Sequence, residues 1–169
     1  MSDIFISYAK EDKLRVEPLA QALEEHGWTV WWDRKIPPGK TFSQVIEETI
    51  NAAKCVIVLW ANESVKSDWV QNEAAEGARR KILVPVLIDD VKIPFEFRRI
   101  QAADLIEWES QTDHPGFSAL LSTISEIVGH SSLKVNEKEQ KREEAKLNAD
   151  RKKLKVLMLF RNILLMKFR

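Results

Sequence analysis

At 169 residues, with 44% apolar and 31% charged side chains, the chain has the size and composition of one soluble globular domain with an appendage. Its single cysteine, Cys55, excludes an intramolecular disulfide and favours a reducing compartment. The first residues lack the basic and apolar segments of a signal peptide, and no apolar stretch of about 18 residues occurs. We therefore expect a cytoplasmic protein with no transmembrane segment.

The net charge of zero hides two oppositely charged regions. Residues 1–132 contain 14 basic and 21 acidic side chains, a net charge of −7, whereas residues 133–169 contain 12 and 5, a net charge of +7. This pattern predicts an acidic domain over 1–132 that does not bind nucleic acid, followed by a basic tail over 133–169. We interpret the tail as a solvated charged linker; nucleic acid, an anionic membrane and the domain itself are the alternative partners.

The first predicted elements are a strand and a helix. Residues 4–8 form a short apolar run with strand character. From Lys13 the apolar residues recur at helical spacing, and Gly27 is a suitable helix stop. The inward face of this helix is predicted to contain five residues: Leu14, Val16, Leu19, Ala20 and Leu23.

A second strand is predicted over the aromatic and β-branched residues 28–32. Residues 33–41 contain Pro-Pro-Gly, which predicts a loop. A helix begins at Phe42, and residues 55–60 form a continuous apolar strand.

The alternation continues to about residue 128. Ser67 is a suitable cap for a helix that ends near Arg80. Further strands are predicted over 82–88, where Pro85 argues against regular pairing, and over 103–108. A last helix is predicted over 117–128.

This order predicts an α/β fold, a flavodoxin-like doubly wound sheet of five parallel strands with helices on both faces. In such sheets, ligands bind beyond the carboxyl ends of the strands, where the strand order reverses. The loops that follow Tyr8, Trp32 and Trp60 are therefore predicted to surround one crevice.

The basic helical tail is predicted to contain a solvated helix or flexible linker followed by an apolar helix. Residues 134–155 are mostly charged, and residues 154–168 are densely apolar but too few to span a bilayer. We interpret 154–168 as an amphipathic helix that needs a partner: a second copy, a further domain or a membrane surface. The region 133–169 is read as the beginning of a segment that continues past residue 169.

Several kinds of site are excluded by the residue pattern. The three histidines are scattered, with no cysteine or carboxylate at metal-ligand spacing, so no metal site is predicted. Cys55 opens a buried strand and is read as a core residue. The glycine-rich phosphate-binding motifs are absent.

Three segments converge on the predicted crevice. They are the turn over 7–10, the loop over 32–42 and the helix start over 67–73. Trp69 and Glu73 lie four residues apart, so they share one helix face. An aromatic ring beside a carboxylate suits a ligand that contains a ring and hydroxyl groups.

The same segments carry a family resemblance. Phe5-Ile6-Ser7-Tyr8, the loop Asp33…Pro37-Pro38-Gly39 and the helix Ser67-x-Trp69-x-x-x-Glu73 resemble the three signature regions of TIR (Toll/interleukin-1 receptor) domains. Each motif is weak alone, but the three occur in the correct order and spacing over about residues 1–130. The chain is most similar to bacterial members, and it departs from many members in having Val70 after the tryptophan.

The resemblance implies a function. Many bacterial TIR domains cleave the nicotinamide–ribose bond of NAD+ and release nicotinamide with ADP-ribose or a cyclic isomer, in immune or signalling systems. It implies that Glu73 is catalytic, that Trp69 borders the pocket, and that self-association is needed for activity. NAD+ is then the substrate, and no cofactor is expected.

The other site residues are assigned as hypotheses. We expect Ser7, Lys10 and Arg34 to reach ribose or phosphates, and Trp32, Phe42 and Trp69 to stack on or wall the bases. Asp33 is expected to orient the Pro-Pro-Gly loop. Self-association is expected through residues 33–42 and through the helix at 154–168.

Alternative functions remain open at this point. The chain could be a non-catalytic scaffold that binds other TIR domains through residues 33–42, with Glu73 a solvated helix residue. Glu76, one turn further along, is a rival acid. A phosphoacceptor receiver shares the sheet topology, but Tyr8 and Trp60 occupy the strand ends where its acidic residues would stand.

Overall fold

The computed structural model describes residues 2–33, 35–36 and 38–129. Within them, five strands alternate with four α-helices and three short 3-10 turns. The strands are β1 (Ile4–Ser7), β2 (Val30–Trp31), β3 (Cys55–Trp60), β4 (Leu83–Leu87) and β5 (Ala103–Asp104). The helices are α1 (Lys13–Glu25), α2 (Phe42–Ala52), α3 (Asp68–Arg79) and α4 (Pro115–Val128), and the 3-10 turns are Lys10–Asp12, Ser64–Lys66 and Phe95–Phe97. The predicted basic tail and its boundary with the domain lie outside the described residues.

The sheet confirms the predicted fold class. Its strand order is β2-β1-β3-β4-β5, and every neighbouring pair is parallel. The chain adds β2 on one side of β1 and then β3, β4 and β5 on the other side, so this is the doubly wound, flavodoxin-like arrangement. The reversal places the loops after β1 and β3 on either side of a crevice at the carboxyl edge.

Strand β4 is an inner strand although it contains Pro85. The Ile88 amide, just after β4, donates to the Trp60 carbonyl of β3 at 3.1 Å. Because alternate amides of a parallel strand point to opposite neighbours, residue 85 points toward β5. The ladder with β5 begins only at Val86, so the missing amide hydrogen of Pro85 leaves both ladders intact.

Two apolar clusters cover the sheet, one on each face. Ile4 and Ile6 belong to the cluster under α1 and α4, whereas Phe5 belongs to the cluster under α2 and α3. Successive side chains of a strand point to opposite faces, so Ser7 points toward α2 and α3, where it is fully buried.

The prediction that Leu14 lies on the inward face of α1 is wrong. The buried residues of this helix are Val16, Leu19, Ala20 and Leu23, which recur at intervals of three and four. Leu14 precedes Val16 by two residues, so it lies about 200° away around the helix. Its side chain is 82% exposed.

Strand β2 is shorter than the predicted 28–32 because Trp28 takes part in ending α1. Gly27 has a φ of 88°, and the Trp28 amide donates back to the Leu23 carbonyl at 3.4 Å. This is the helix stop in which a glycine adopts the left-handed conformation. The register with β1 therefore begins at Val30, just after the Thr29 carbonyl, which accepts from the Ile4 amide at 3.0 Å.

Strand β5 ends at Asp104, whereas the sequence predicted a strand over 103–108. The Asp104 carboxylate accepts a hydrogen bond from the Ile106 amide at 3.0 Å. An aspartate that bonds the backbone two residues ahead forms a turn, and this turn ends the strand. Helix α4 begins two residues before the predicted position and approaches β5 closely: a Cβ atom on Gly116 would lie 1.8 Å from the Asp104 carbonyl oxygen.

Candidate functional site

Helix α3 carries Glu73 into the carboxyl edge of the sheet. The Ser67 hydroxyl caps the helix by accepting from the Val70 amide at 3.3 Å, as the sequence predicts. The buried residues Val70, Ala74 and Gly77 share one helix face, and Glu73 lies among them with 5% of its surface exposed. Glu73 is therefore not a solvated helix glutamate.

Both carboxylate oxygens of Glu73 accept hydrogen bonds. The hydroxyl of Ser7, the last residue of β1, donates to Oε2. The indole Nε1 of Trp69 donates to Oε1 at 2.5 Å. A buried carboxylate needs such donors because removing it from water is costly. The bond from Ser7 joins β1 to α3, and the bond from Trp69 lies within α3.

Two aromatic rings form a partly exposed wall beside the carboxylate. Trp69 lies 5.3 Å from Phe42, centroid to centroid, with the ring planes tilted by 48°. Their side chains are 36% and 41% exposed. Phe42 is the first residue of α2, whose start is set by Thr41 and Gln44: each side chain hydrogen-bonds the other's backbone amide.

Open cavities lie on both sides of Trp69. A groove of about 470 Å³ between α2 and α3 is lined by residues that include Ile46, Asn51, Trp69, Asn72 and Glu73. On the other side, a cavity of about 360 Å³ is lined by residues that include Tyr8, Lys10, Lys66, Ser67 and Trp69. A third cavity, also about 360 Å³, is lined by Tyr8, Lys10, Lys13, Asp33 and Phe42.

Asp33 and Lys10 occupy the outer part of the crevice. The Asp33 carboxylate pairs with Lys13 and with Lys35, each at 3.1 Å. Hydrogen bonds from these two ammonium groups, Lys13 first, hold the pKa of Asp33 below its ordinary value of 3.8. Lys10 is exposed and lines two of the cavities.

Ser7 and Trp32, which were also predicted for the site, are not among the residues that line these three cavities. Ser7 has no exposed surface, so its contact in this structure is with Glu73. Trp32 packs, partly buried, against the cluster under α1 and α4, and its carbonyl oxygen accepts from the Tyr8 hydroxyl at 2.8 Å. Arg34 lies outside the described residues. The structure therefore brings Lys10, Asp33, Phe42, Trp69 and Glu73 around the cavities, with Ser7 behind them and Trp32 apart.

Tyr8 was not assigned a site role from the sequence. Its ring lines two of the cavities, although only 4% of its surface is exposed. The available signal was its position, because the first residue beyond the end of an inner parallel strand stands at the ligand-binding edge.

Glu76, the rival acid, is partly exposed and paired. Arg79 donates to it through two nitrogens, the shorter contact being 2.5 Å. These hydrogen bonds lower the pKa of the Glu76 carboxyl. Glu76 and Arg79 line the same groove as Glu73, but the Glu76 carboxylate is partly exposed and already paired with a surface arginine, whereas the Glu73 carboxylate is buried.

Two features are absent from the described residues, a cluster of metal-binding side chains and a helix that could cross a membrane. Across 2–33, 35–36 and 38–129, no group of three or more His, Cys, Asp or Glu side chains is placed to hold a metal ion. In the same part of the chain, none of the helices has the length and apolar character needed to cross a membrane.

Known proteins provide an independent comparison. The family model for the TIR domain matches residues 4–121. Over 134 residues, the chain is 33% identical to two bacterial proteins, 2′ cyclic ADP-D-ribose synthase AbTIR of Acinetobacter baumannii and 2′ cyclic ADP-D-ribose synthase BtTIR of Bacteroides thetaiotaomicron. These alignments cover 75% of this chain but 46% and 43% of the relatives, so the chain spans less than half of their length.

A solved structure supports the fold. The TIR domain of the Toll-related receptor TRR-2 from Hydra magnipapillata superposes with a TM-score of 0.64 at 21% identity. The superposition covers 73% of this chain and 98% of that domain.

Proposed function

This chain belongs to the TIR domain family, and on that premise we propose that it is an NAD+ glycohydrolase whose catalytic residue is Glu73. One observation carries the proposal: a buried carboxylate, held by Ser7 and Trp69, lies at the wall of a groove of about 470 Å³. The names of the two bacterial relatives support NAD+ as the substrate and a cyclic ADP-ribose as a product.

In the proposed reaction, the bond between C1′ of the ribose and the pyridinium nitrogen breaks. Its electron pair goes to the nitrogen, so nicotinamide leaves as a neutral molecule and needs no general acid. The remaining ribosyl group has oxocarbenium character, as in glycoside hydrolysis. The Glu73 carboxylate stabilises this positive charge and accepts hydrogen bonds from the ribose hydroxyls.

The second step consumes the cation. Attack of water at C1′ gives ADP-ribose and a proton, whereas attack by a hydroxyl of the same molecule gives a cyclic isomer and a proton. The relatives' names favour the cyclic route. In this scheme NAD+ is the substrate and no further cofactor takes part.

The charges and rings of the crevice suit the rest of NAD+. Lys10 is exposed at the cavity edge and matches the negative pyrophosphate. Trp69 and Phe42 offer exposed ring surface for the bases. We place the pyrophosphate on the Lys10 side of Trp69, with C1′ of the ribose next to Glu73.

Self-association is part of the proposal. Around residues 33–42, the described residues Lys35, Pro38, Gly39, Lys40 and Phe42 are all exposed, which suits contact with a second copy. The helix predicted at 154–168 is a second candidate contact. We propose that the protein acts in the cytoplasm of a bacterium, in a signalling or defence system.

The test is to incubate the purified chain with NAD+ at increasing protein concentration and to measure free nicotinamide by chromatography. We expect release that rises more than linearly with protein concentration and that is lost in Glu73→Ala. A folded wild-type chain that self-associates but releases no nicotinamide would instead support the scaffold function. Activity of Glu73→Ala equal to that of the wild type would overturn the assignment of Glu73.

A further inference from the structure

The contact between Ser7 and Glu73 lies where β1 meets α3. On the strand, Phe5 precedes Ser7 on the same face and belongs to the apolar cluster under α2 and α3. On the helix, Val70 and Ala74, the buried neighbours of Glu73, belong to the same cluster. Two polar residues therefore interrupt two apolar surfaces at one point, and they are hydrogen-bonded to each other.

Stability alone does not explain this pair. Replacing both partners of a buried hydrogen bond by apolar groups of the same shape can be nearly neutral for stability or even stabilising, so stability does not require a polar pair here. The surrounding residues show that apolar side chains pack well here, since Phe5 and Val70 are almost completely buried. The pair therefore has a role in the placement of the carboxylate.

The two donors to Glu73 differ in their access to a ligand. Trp69 is 36% exposed and borders open cavities, so a ribose hydroxyl can bind Oε1 beside the indole N–H, because a carboxylate oxygen accepts two hydrogen bonds. Ser7 has no exposed surface and binds Oε2 from the sheet side, so no ligand reaches it past the carboxylate.

We propose that Ser7 is a positioning residue that acts through Glu73: its hydroxyl fixes Oε2 so that Oε1 faces the ribose. This inference rests on the proposed function. The terminal torsion of a glutamate side chain has a broad energy profile, so a carboxylate is not oriented by its own rotamer. The hydrogen bond from β1 supplies that orientation before the substrate arrives.

The expected effect is on kcat. Without the hydroxyl, the carboxylate rotates away from its productive orientation, while the surfaces that bind NAD+ are unchanged. Loss of one hydrogen bond to a charged group predicts a fall in kcat of about 10- to 100-fold with KM within about twofold.

The experiment compares three variants of the full chain: Ser7→Ala, Ser7→Cys and Ser64→Ala. Cysteine keeps nearly the volume of serine but is a weak donor, so it separates packing from hydrogen bonding. Ser64 is a matched control, because it is also fully buried and its hydroxyl is bonded to the backbone of Ala61. Thermal unfolding midpoints show whether each variant is folded.

We expect both Ser7 variants to lose kcat, and Ser64→Ala to keep it even where its unfolding midpoint falls. A Ser7→Cys enzyme with wild-type kcat would assign the effect to packing and overturn the proposal. A rise in KM at unchanged kcat would mean that Ser7 binds the substrate directly, which also overturns it. The wild-type arm separates the two proposals: no nicotinamide from wild type overturns the function itself, whereas equal activity of wild type and Ser7→Ala overturns only the positioning role.

Discussion

The two sides of the crevice at the carboxyl edge of the sheet are built from different structures: a strand and a helix on one side, and a loop with the helix start that follows it on the other. On one side, Ser7, Trp69 and Glu73 stand on β1 and α3; we call them the anchored wall. On the other, Asp33, Lys35 and Phe42 stand on or beside the loop between β2 and α2; we call them the loop rim. In the anchored wall, Ser7 and Trp69 donate hydrogen bonds to the buried carboxylate of Glu73. In the loop rim, Asp33 forms ion pairs with Lys13 and Lys35, whose side chains are more than half exposed.

This difference separates two requirements of a catalytic site. A group that stabilises a transition state has to be placed to within a fraction of an ångström, which a sheet and a packed helix provide. A surface that meets a ligand or a second copy needs exposed side chains, and loops carry such side chains. We therefore expect substitutions in the anchored wall to act on kcat, and those in the loop rim to act weakly and mainly on KM.

The largest effect is expected for Glu73→Gln, which keeps the shape of the side chain and removes its charge. Loss of the charge that stabilises the oxocarbenium-like state predicts a fall in kcat of at least about 100-fold. The measurement is the initial rate of nicotinamide release, with the rival acid variant Glu76→Gln beside it. If Glu76→Gln lost more activity than Glu73→Gln, the catalytic carboxylate would be Glu76 and not Glu73.

A smaller effect is expected for Trp69→Phe, which keeps a ring and removes the N–H that binds Oε1. We expect kcat to fall about 10-fold, because a hydrogen bond to a charged group is lost while an aromatic surface remains. Trp31→Phe is the control: Trp31 is partly buried, and its ring stacks on Phe5 at 5.0 Å in the cluster under α2 and α3. Equal losses of kcat in the two variants would show that the indole acts through stability alone.

The loop rim is tested by Phe42→Ala. The variant removes the ring that contacts Trp69, and we expect KM for NAD+ to rise about two- to tenfold, the range for one aromatic pair. Phe95→Ala, at a ring that is 78% exposed and pairs with Arg98, serves as the matched control. A Phe42→Ala enzyme with normal KM but much reduced kcat would place Phe42 with the anchored wall.

The smallest effect is expected for Asp33→Asn. Its carboxyl has a pKa below 3.8, so its ion pairs stabilise the folded state above that pH, and the stabilisation is lost as the pH falls through the lowered pKa. We expect a slightly lower unfolding midpoint than wild type near pH 7, and no difference in strong acid. High salt is expected to remove the difference as well, because the pairs are exposed. A midpoint difference that persists in both conditions would indicate a packing role.

Much of the fold is readable in the sequence because it depends on local pattern. Alternating apolar strands and amphipathic helices predict the parallel sheet, and Ser67 before an amphipathic run predicts the start of α3. The errors arise where one residue competes with the pattern. Asp104 ends β5 because its side chain bonds the Ile106 amide. Leu14 was assigned to the inward face because it is apolar, although its position around the helix exposes it to solvent.

The candidate site was only partly readable. The four-residue spacing of Trp69 and Glu73 predicts a shared helix face, and the contact between them follows from it. The bond between Ser7 and Glu73 joins residues 66 positions apart, and no local pattern shows that the two face each other. Trp32 was placed in the crevice on its aromatic character, but the register of β2 turns its ring toward the opposite face.

The reciprocal hydrogen bonds between Thr41 and Gln44 have a mechanical consequence. They close the first turn of α2 immediately after the loop, so the start of the helix is held by two of its own residues and not by the loop before it. Phe42 is the first helical residue after that cap. Its ring is therefore carried by α2, and the aromatic wall that it forms with Trp69 stands on two helices, α2 and α3.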